Sequence, residues 1–436
     1  MKNKTYILNT LLAVVLGIYL LTAVVVRTFC PQIILPKANI PNMVLISLIG
    51  SIDPMMVGGI GTEAIAAVGL VGQPRMLMLC IFLFTGCQCS HEWKEADCLT
   101  PKTCTLCEET EGEALGHDYV EGVCTRCGET DPKYRAPLSG LLRVAGNDRF
   151  ATSFAVADQM LYEMAEEKFD SVIVAYSHNF PDALTGSYLA AVKKAPILLY
   201  HDSKAADVLA YIQENLKAEG TVYVLGGTAV ISDSFDADAS ALGFQVKRLA
   251  GDDRLGTNLA ILEEAGVAAD QEILVCTAFN YADSLSAACT KLPMLLVGKE
   301  LTAEQKAFLE GHTGKVTIIG GKGAVSEAIE AELNADRICG ESRYETSTEV
   351  AHRYFPAPNA VLMAYGNDYP DGLCGGSLAA VIDAPMILVS NDCYAYADEY
   401  TENVNGGYIL GGTTRITDEV AREVYDLAPD AVIPEA

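Results

Sequence analysis

Hydrophobic and polar positions give this chain three textures. From Tyr6 to Phe84 apolar runs dominate. "YILNTLLAVVLGIYLLTAVVV" (Tyr6–Val26) is about 21 residues without a charge, long enough to cross a hydrocarbon core. A second run, Met43–Gly72, is broken by Asp53, Pro54 and Glu63, and a third, Met76–Phe84, is too short to span. Between Cys98 and Cys127 the apolar positions thin out and cysteines take their place. From Arg143 onward short β-branched runs such as "SVIVAYS", "PILLY" and "VYVLGG" alternate with segments of helical spacing, such as "FATSFAVADQMLYEMAEEK" and "SKAADVLAYIQENLKAEG". Continuous short runs of this kind read as parallel strands buried on both faces. Strand and helix alternating in this order require crossover connections and an open parallel sheet, the Rossmann-like α/β class.

The third texture is one unit written three times. Each copy opens on R-x-x-G-x-x-R-x-x-T: "RVAGNDRFATS", "RLAGDDRLGTN" and "RICGESRYETS", starting at Arg143, Arg248 and Arg337. An apolar run follows, then "FPDALTGSYLAA", "YADSLSAACTK" or "YPDGLCGGSLAA", then "APILLY", "LPMLLVG" or "APMILVS". Each copy closes on a paired-glycine phrase at Gly226-Gly227, Gly320-Gly321 and Gly411-Gly412. A fixed order at a fixed period means one module duplicated in tandem. The expected domains are a hydrophobic region over 1–86, a Cys/His module with linker over 87–135, and repeats over 140–245, 246–335 and 336–436. The paired glycines lack the third glycine of a dinucleotide fingerprint and the lysine of a P-loop. They read as a tight strand-to-helix turn, with anion contact at the following helix N-terminus as the alternative.

This ordered set of phrases resembles the cell wall binding repeat of the second type, over Arg143 to about Ala428. That family usually carries three tandem copies. The resemblance implies three modules in a pseudo-threefold arrangement. It also implies noncovalent attachment to an anionic secondary wall polymer, teichoic-type or phosphodiester polysaccharide, and hence an exported protein at the cell surface or cell wall. The paired arginines Arg143/Arg149, Arg248/Arg254 and Arg337/Arg343 are the leading polymer-binding candidates, because guanidinium matches phosphate or carboxylate bidentately. An inter-module salt bridge or carbonyl clamp is the competing role. The triplets Ile197-Leu198-Leu199, Met294-Leu295-Leu296 and Met386-Ile387-Leu388 match a family motif that the resemblance places near the polymer groove. Read on their own, they are buried central strands. Asp182, Asp283 and Asp371 recur in the "PDAL"-like phrase and read as structural, capping a helix or pairing internally.

Composition narrows the function further. A net charge of -27 and a pI near 4.5 argue against nonspecific nucleic-acid binding, which runs on Lys and Arg neutralising phosphates. They also make recurring arginine in a fixed phrase something that needs a role. No G-x-S-x-G elbow or H-E-x-x-H stretch is present, and His178, His201, His312 and His352 fall at non-equivalent places in the repeats. The chain therefore reads as a binder rather than an enzyme. An accessory or degenerate enzyme taking a small glycan or phosphate, and a structural surface-layer component, are the alternatives.

In the second texture Cys104/Cys107 and Cys124/Cys127 form two C-x-x-C knuckles. Their spacing lets two thiolate pairs converge on one structural zinc, with disulfides as the alternative. The rhythm also resembles short Cys/His repeats of bacterial surface proteins, in which His91, Cys98 or His117 compete as ligands. Residues 43–83 resemble the first helical hairpin of multidrug and toxin extrusion transporters, a fragment without the helices a carrier needs. "LFTGC" after Arg75 resembles a lipoprotein signal with Cys87 as the lipidated residue. Either Cys87 or Tyr6–Val26 would tether the protein to a membrane.

Overall fold

The apolar runs of the three repeats become parallel strands, and the amphipathic segments between them become the crossover helices. In the computed structural model, residues 91–134, 139–394, 397, 401, 404 and 406–435 are described. The readings placed on residues 1–86 and on Cys87 (the transporter-like hairpin, the membrane segment and the lipidation site) lie outside them. Among the described residues no helix is long and apolar enough to cross a membrane. The chain divides into two units that meet between Asp131 and Pro132.

The second unit contains three four-stranded, all-parallel sheets. The first is built from β7 (Phe169–Tyr176), β8 (Ile197–Tyr200), β9 (Leu216–Leu225) and β10 (Gln245–Leu249), in the order β10-β9-β7-β8. The second uses β11 (Ile273–Thr277), β12 (Met294–Val297), β13 (Val316–Ile319) and β14 (Asp336–Ile338), in the order β12-β11-β13-β14. The third uses β15 (Ala360–Tyr365), β16 (Met386–Val389) and β17 (Gly406–Leu410), and takes its fourth strand from the start of the unit: β6, Gly140–Val144. Ile409 pairs with Arg143, and the C-terminal residues Pro434 and Glu435 flank β6 on its other side. The sequence repeat and the folding module are therefore offset. Each R-x-x-G strand completes the sheet of the preceding copy, and the first copy, having no predecessor, completes the last.

That offset places one helix at every junction. α1 (Arg149–Met164) leaves the third sheet and packs on β8 of the first. α5 (Arg254–Ala265) links the first sheet to β12, and α9 (Arg343–Tyr354) links the second to β16. Buried polar contacts hold the junctions. Gln159 on α1 donates to the Tyr408 hydroxyl at 2.9 Å, and Tyr354 donates to Glu272 at 2.9 Å. α1 begins on the Asp148 cap, whose carboxylate accepts from the Phe150 and Ala151 amides, and ends on left-handed Ala165.

Two local expectations change. The helix expected through Gly220 is α3, Ala205–Asn215. Leu216 is buried and opposite Phe169, so Leu216–Gly220 joins β9 through a register irregularity. The apolar triplets lie on β8, β12 and β16, which are edge strands, not central ones. Their exposed backbone is covered by side chains instead of a neighbouring strand. The Leu199 amide donates to Ser153, the Leu296 amide to Asn258 and the Leu388 amide to Ser347, at 2.9–3.1 Å. These three residues each follow the threonine of the repeated phrase.

Candidate functional site

The repeated phrase is a junction-building device, and each conserved-in-copy residue type has a specific contact. Arg143 donates to the carbonyls of Gly411 and Ile416 at 2.7 and 2.9 Å and pairs with Asp418 at 2.8 Å. Arg248 makes the same contacts to Gly226 and Ser232 and a two-pronged pair with Asp236. Arg337 does so to Gly320, Val325 and Glu330. These first arginines, proposed from sequence as polymer ligands, are instead clamps on the paired-glycine turn. Their side chains are 3%, 17% and 9% exposed and their donors are committed to protein oxygens. The glycine of the phrase lets the turn close on the helix: a Cβ on Gly146 would lie 2.4 Å from Ala151. The threonine caps that turn, Thr152 accepting from the Gly146 amide at 3.1 Å, with Thr257 and Thr346 equivalent.

The second arginines behave differently. Arg149, Arg254 and Arg343 stand at the first residue of α1, α5 and α9, and all three are half-buried. Each donates through one terminal nitrogen, Nη1, to the carbonyl just past the first strand of the next module: Ser177 at 2.8 Å, Ala278 at 2.8 Å and Gly366 at 2.6 Å. Arg343 Nη1 also reaches the Tyr281 hydroxyl at 2.8 Å. Arg254 lies over the Phe279 ring and Arg343 over Tyr281. The remaining donors of these guanidinium groups meet no protein acceptor among the described residues. The first junction alone adds histidines, with the His178 and His201 rings 4.8 Å apart and burial, Arg149 and His201 holding His178 below its ordinary value.

Opposite each second arginine stands the aspartate of the preceding module. Burial pushes Asp182 up to about 6, against the pull of Arg254, and pushes Asp283 up to about 6, against the pull of Arg343. Asp371 is raised by burial, with Arg415 and Arg149 opposing. The three aspartates do not cap their helices. α2 (Pro181–Lys193), α6 (Ala282–Ala287) and α10 (Pro370–Ile382) start from Phe180, Tyr281 and Tyr369, and the aspartate is in the first turn. There it fills the space over the first glycine of the paired-glycine turn. A Cβ on Gly226 would lie 2.8 Å from Asp182, on Gly320 2.2 Å from Asp283, and on Gly411 2.3 Å from Asp371, and all three glycines have positive φ. The second glycines, Gly227, Gly321 and Gly412, face open space, so the steric need falls on one glycine of each pair.

Two further sets of residues bring the three copies together, and neither was singled out from sequence. The aromatics before each Pro-Asp or Ala-Asp, Phe180, Tyr281 and Tyr369, meet with centroids 5.4–6.0 Å apart. Farther along the same helices Gly376 comes against Ala288 and Ser187, where a Cβ would have 3.0–3.3 Å. These are equivalent small residues, one from each copy. The signal was present, since an aromatic precedes the aspartate in every copy.

The family model for "Cell wall binding domain 2 (CWB2)" matches residues 143–236, 248–330 and 337–421, more than half of the chain. The chain belongs to the cell wall binding domain 2 family. Its three CWB2 copies make it a wall-binding protein of the cell surface. Among curated proteins it is similar to the N-acetylmuramoyl-L-alanine amidase LytC of Bacillus subtilis (strain 168), 27% identical over 295 residues, covering 65% of this chain and 57% of that protein. It is also similar to the amidase enhancer of the same organism, 26% identical, covering 65% of this chain and 41% of that one. Thus the chain spans about half the length of these relatives. Two solved structures share the fold: Cwp8 from Clostridium difficile (TM-score 0.59, 24% identity, 68% of this chain and 53% of that one) and Cwp6 from Clostridium difficile (TM-score 0.57, 20% identity, 72% and 52%).

Within the CWB2 modules the triplets carry no surface for a polymer. Ile197, Leu198, Leu199, Leu295 and Met386 are completely buried, and Met294, Leu296, Ile387 and Leu388 are at most 1% exposed. Their neighbours are the junction helices that cover the sheet edge, and the groove position implied by resemblance is replaced by that packing.

The first unit holds the Cys/His residues. β1 (Trp93–Lys94), β2 (Lys102–Cys104) and β3 (Thr110–Glu111) form one small sheet, and β4 (Tyr119–Val120) pairs with β5 (Val123–Cys124). The knuckles expected to converge on one zinc go to separate clusters. Cys124 and Cys127 gather with Cys98 and His117, whereas Cys104 and Cys107 gather with His91. Both clusters are sets that can hold a metal ion. Each knuckle sits in its own hairpin, and a hairpin brings its thiols to the histidine that precedes it. In the first cluster named, burial and the neighbouring Cys127 and Cys124 sulfurs push Cys98 up to about 12.

Proposed function

We propose that the three junctions together bind an anionic secondary polymer of a Gram-positive wall, of the teichoic or phosphodiester-polysaccharide class, and hold the protein noncovalently at the surface without catalysis. The observation that carries this reading is the uncommitted part of the Arg149, Arg254 and Arg343 guanidinium groups. Each is pinned by one nitrogen to a strand-end carbonyl, so its plane is oriented in advance and little side-chain entropy is lost on binding. A half-buried guanidinium with free donors is a bidentate site for phosphate or carboxylate. Three such sites on one compact unit bind a repeating polymer by avidity, each weak alone. The charge of -27 opposes a polyanion at long range, but that repulsion is screened beyond about 8 Å at physiological ionic strength. The contacts at the junctions are local.

The test is retention of the full chain on purified walls before and after hydrofluoric acid removes phosphodiester-linked polymers. The expected result is loss of binding on stripping. Equal binding to stripped walls would move the ligand to peptidoglycan, and no binding to either would end the anchoring reading.

A further inference from the structure

We infer that the Cys-rich unit holds two metal ions of the zinc class at separate sites: one at Cys98, His117, Cys124 and Cys127, and one at His91, Cys104 and Cys107. The distances are those of tetrahedron edges. Zinc bonds of ~2.3 Å to sulfur and ~2.0 Å to nitrogen put neighbouring donors roughly 3.5–3.8 Å apart. Cys98 Sγ lies 3.7 Å from Cys124 Sγ, far beyond the ~2.05 Å of a disulfide, and Cys127 Sγ lies 3.4 Å from His117 Nδ1. In the other cluster Cys107 Sγ is 3.4 Å from His91 Nδ1. Within each cluster all donor atoms lie within 4.8 Å of one another.

The supporting contacts are duplicated. Each histidine turns Nδ1 to the sulfurs and presents Nε2 to a glutamate: His91 to Glu109 at 3.4 Å and His117 to Glu129 at 3.6 Å. A carboxylate on the far nitrogen fixes the tautomer and ring orientation of a metal-bound imidazole. Each histidine also stacks on the aromatic two residues along, Trp93 or Tyr119, at 4.9 and 5.2 Å. In the first knuckle the Leu106 amide donates to Cys104 Sγ at 3.4 Å, as in a thiolate prepared for a cation. Among the described residues before Pro132 the buried hydrophobic positions are Cys98, Cys104 and Cys124, all of them donors. A segment so built gains its folding energy from metal. Borderline thiolate and imidazole donors in a tetrahedral set select zinc-class ions. The four-donor set is structural.

The experiment is metal counting on the full chain grown with zinc, by native mass spectrometry and elemental analysis. Two ions per chain are expected. Cys98→Ser, His117→Ala and Cys127→Ser should each leave one, Cys107→Ser should leave the other one, and Cys107→Ser with Cys127→Ser should leave none. Because losing a ligand can unfold so small a unit, cobalt titration of the unsubstituted chain gives an independent readout. Two cobalt ions bound per chain are expected, each with thiolate charge-transfer intensity. A single ion with four-thiolate intensity, lost on changing any knuckle cysteine and indifferent to Cys98 and His117, would overturn the proposal. So would a thiol count showing the knuckles oxidised.

Discussion

Arg143 and Arg149 belong to one phrase, yet they occupy opposite environments, and the contrast repeats at Arg248 and Arg254 and at Arg337 and Arg343. The strand arginine has its donors on two carbonyls and a carboxylate inside one module. The helix-start arginine has one nitrogen on a neighbouring module's carbonyl and the rest of its fork unspent. Guanidinium chemistry is the same in both. What differs is how many acceptors the fold supplies, and that decides whether the charge serves stability or remains available for a ligand.

The sharpest way to break this comparison is to remove one arginine of each kind. Arg143→Met should cost about 2–4 kcal/mol in denaturant unfolding, because it leaves the Gly411 and Ile416 carbonyls without their buried donor. Arg149→Gln should cost about 1 kcal/mol or less, the worth of one hydrogen bond to a carbonyl. Equal losses would erase the distinction. Next in size is the turn the strand arginine clamps. Gly411→Ala should destabilise by about 1–3 kcal/mol, given φ +87° and the Asp371 carboxylate in the way. Gly412→Ala, facing open space, should stay within about 0.5 kcal/mol.

The smallest effect concerns protons at the junctions. Asp182 and Asp283 have folded values of about 6 against an ordinary 3.8. The folded state therefore binds more protons between those values, so stability contributed by these groups falls as pH rises from about 4 to about 6. Protonation also removes the counter-charge from Arg254 and Arg343. Wall binding should strengthen severalfold as pH drops from 7.5 to 5.5, and Asp182→Asn with Asp283→Asn should flatten that dependence in a wall co-sedimentation series. An unchanged slope in the double variant would detach the aspartates from the site.

Local physics was legible in the sequence wherever it repeated. β-branched runs, crossover helices and the tight glycine turn are properties of short segments, and three copies averaged out ambiguity. Partner choice was not legible. Arg143 meets Gly411 and Asp418 across nearly the whole unit, and nothing near Arg143 in sequence distinguishes it from Arg149. The triplets looked like central strands because they are fully apolar, but their edges are sealed by Ser153, Asn258 and Ser347 instead of by strands. The knuckles were recognisable, yet their sorting into separate clusters depended on His91 and His117, each two residues before an aromatic ring.

The central claim is that the helix-start arginines, and not the strand arginines, carry wall binding. The direct measurement is co-sedimentation of the full chain carrying Arg149→Gln, Arg254→Gln and Arg343→Gln with native walls, with circular dichroism and thermal unfolding on the same preparation. The account predicts at least a tenfold loss of binding, about 1.4 kcal/mol or more, in a chain whose fold and unfolding midpoint stay near those of the unsubstituted protein. Undiminished binding by that folded triple variant would contradict it.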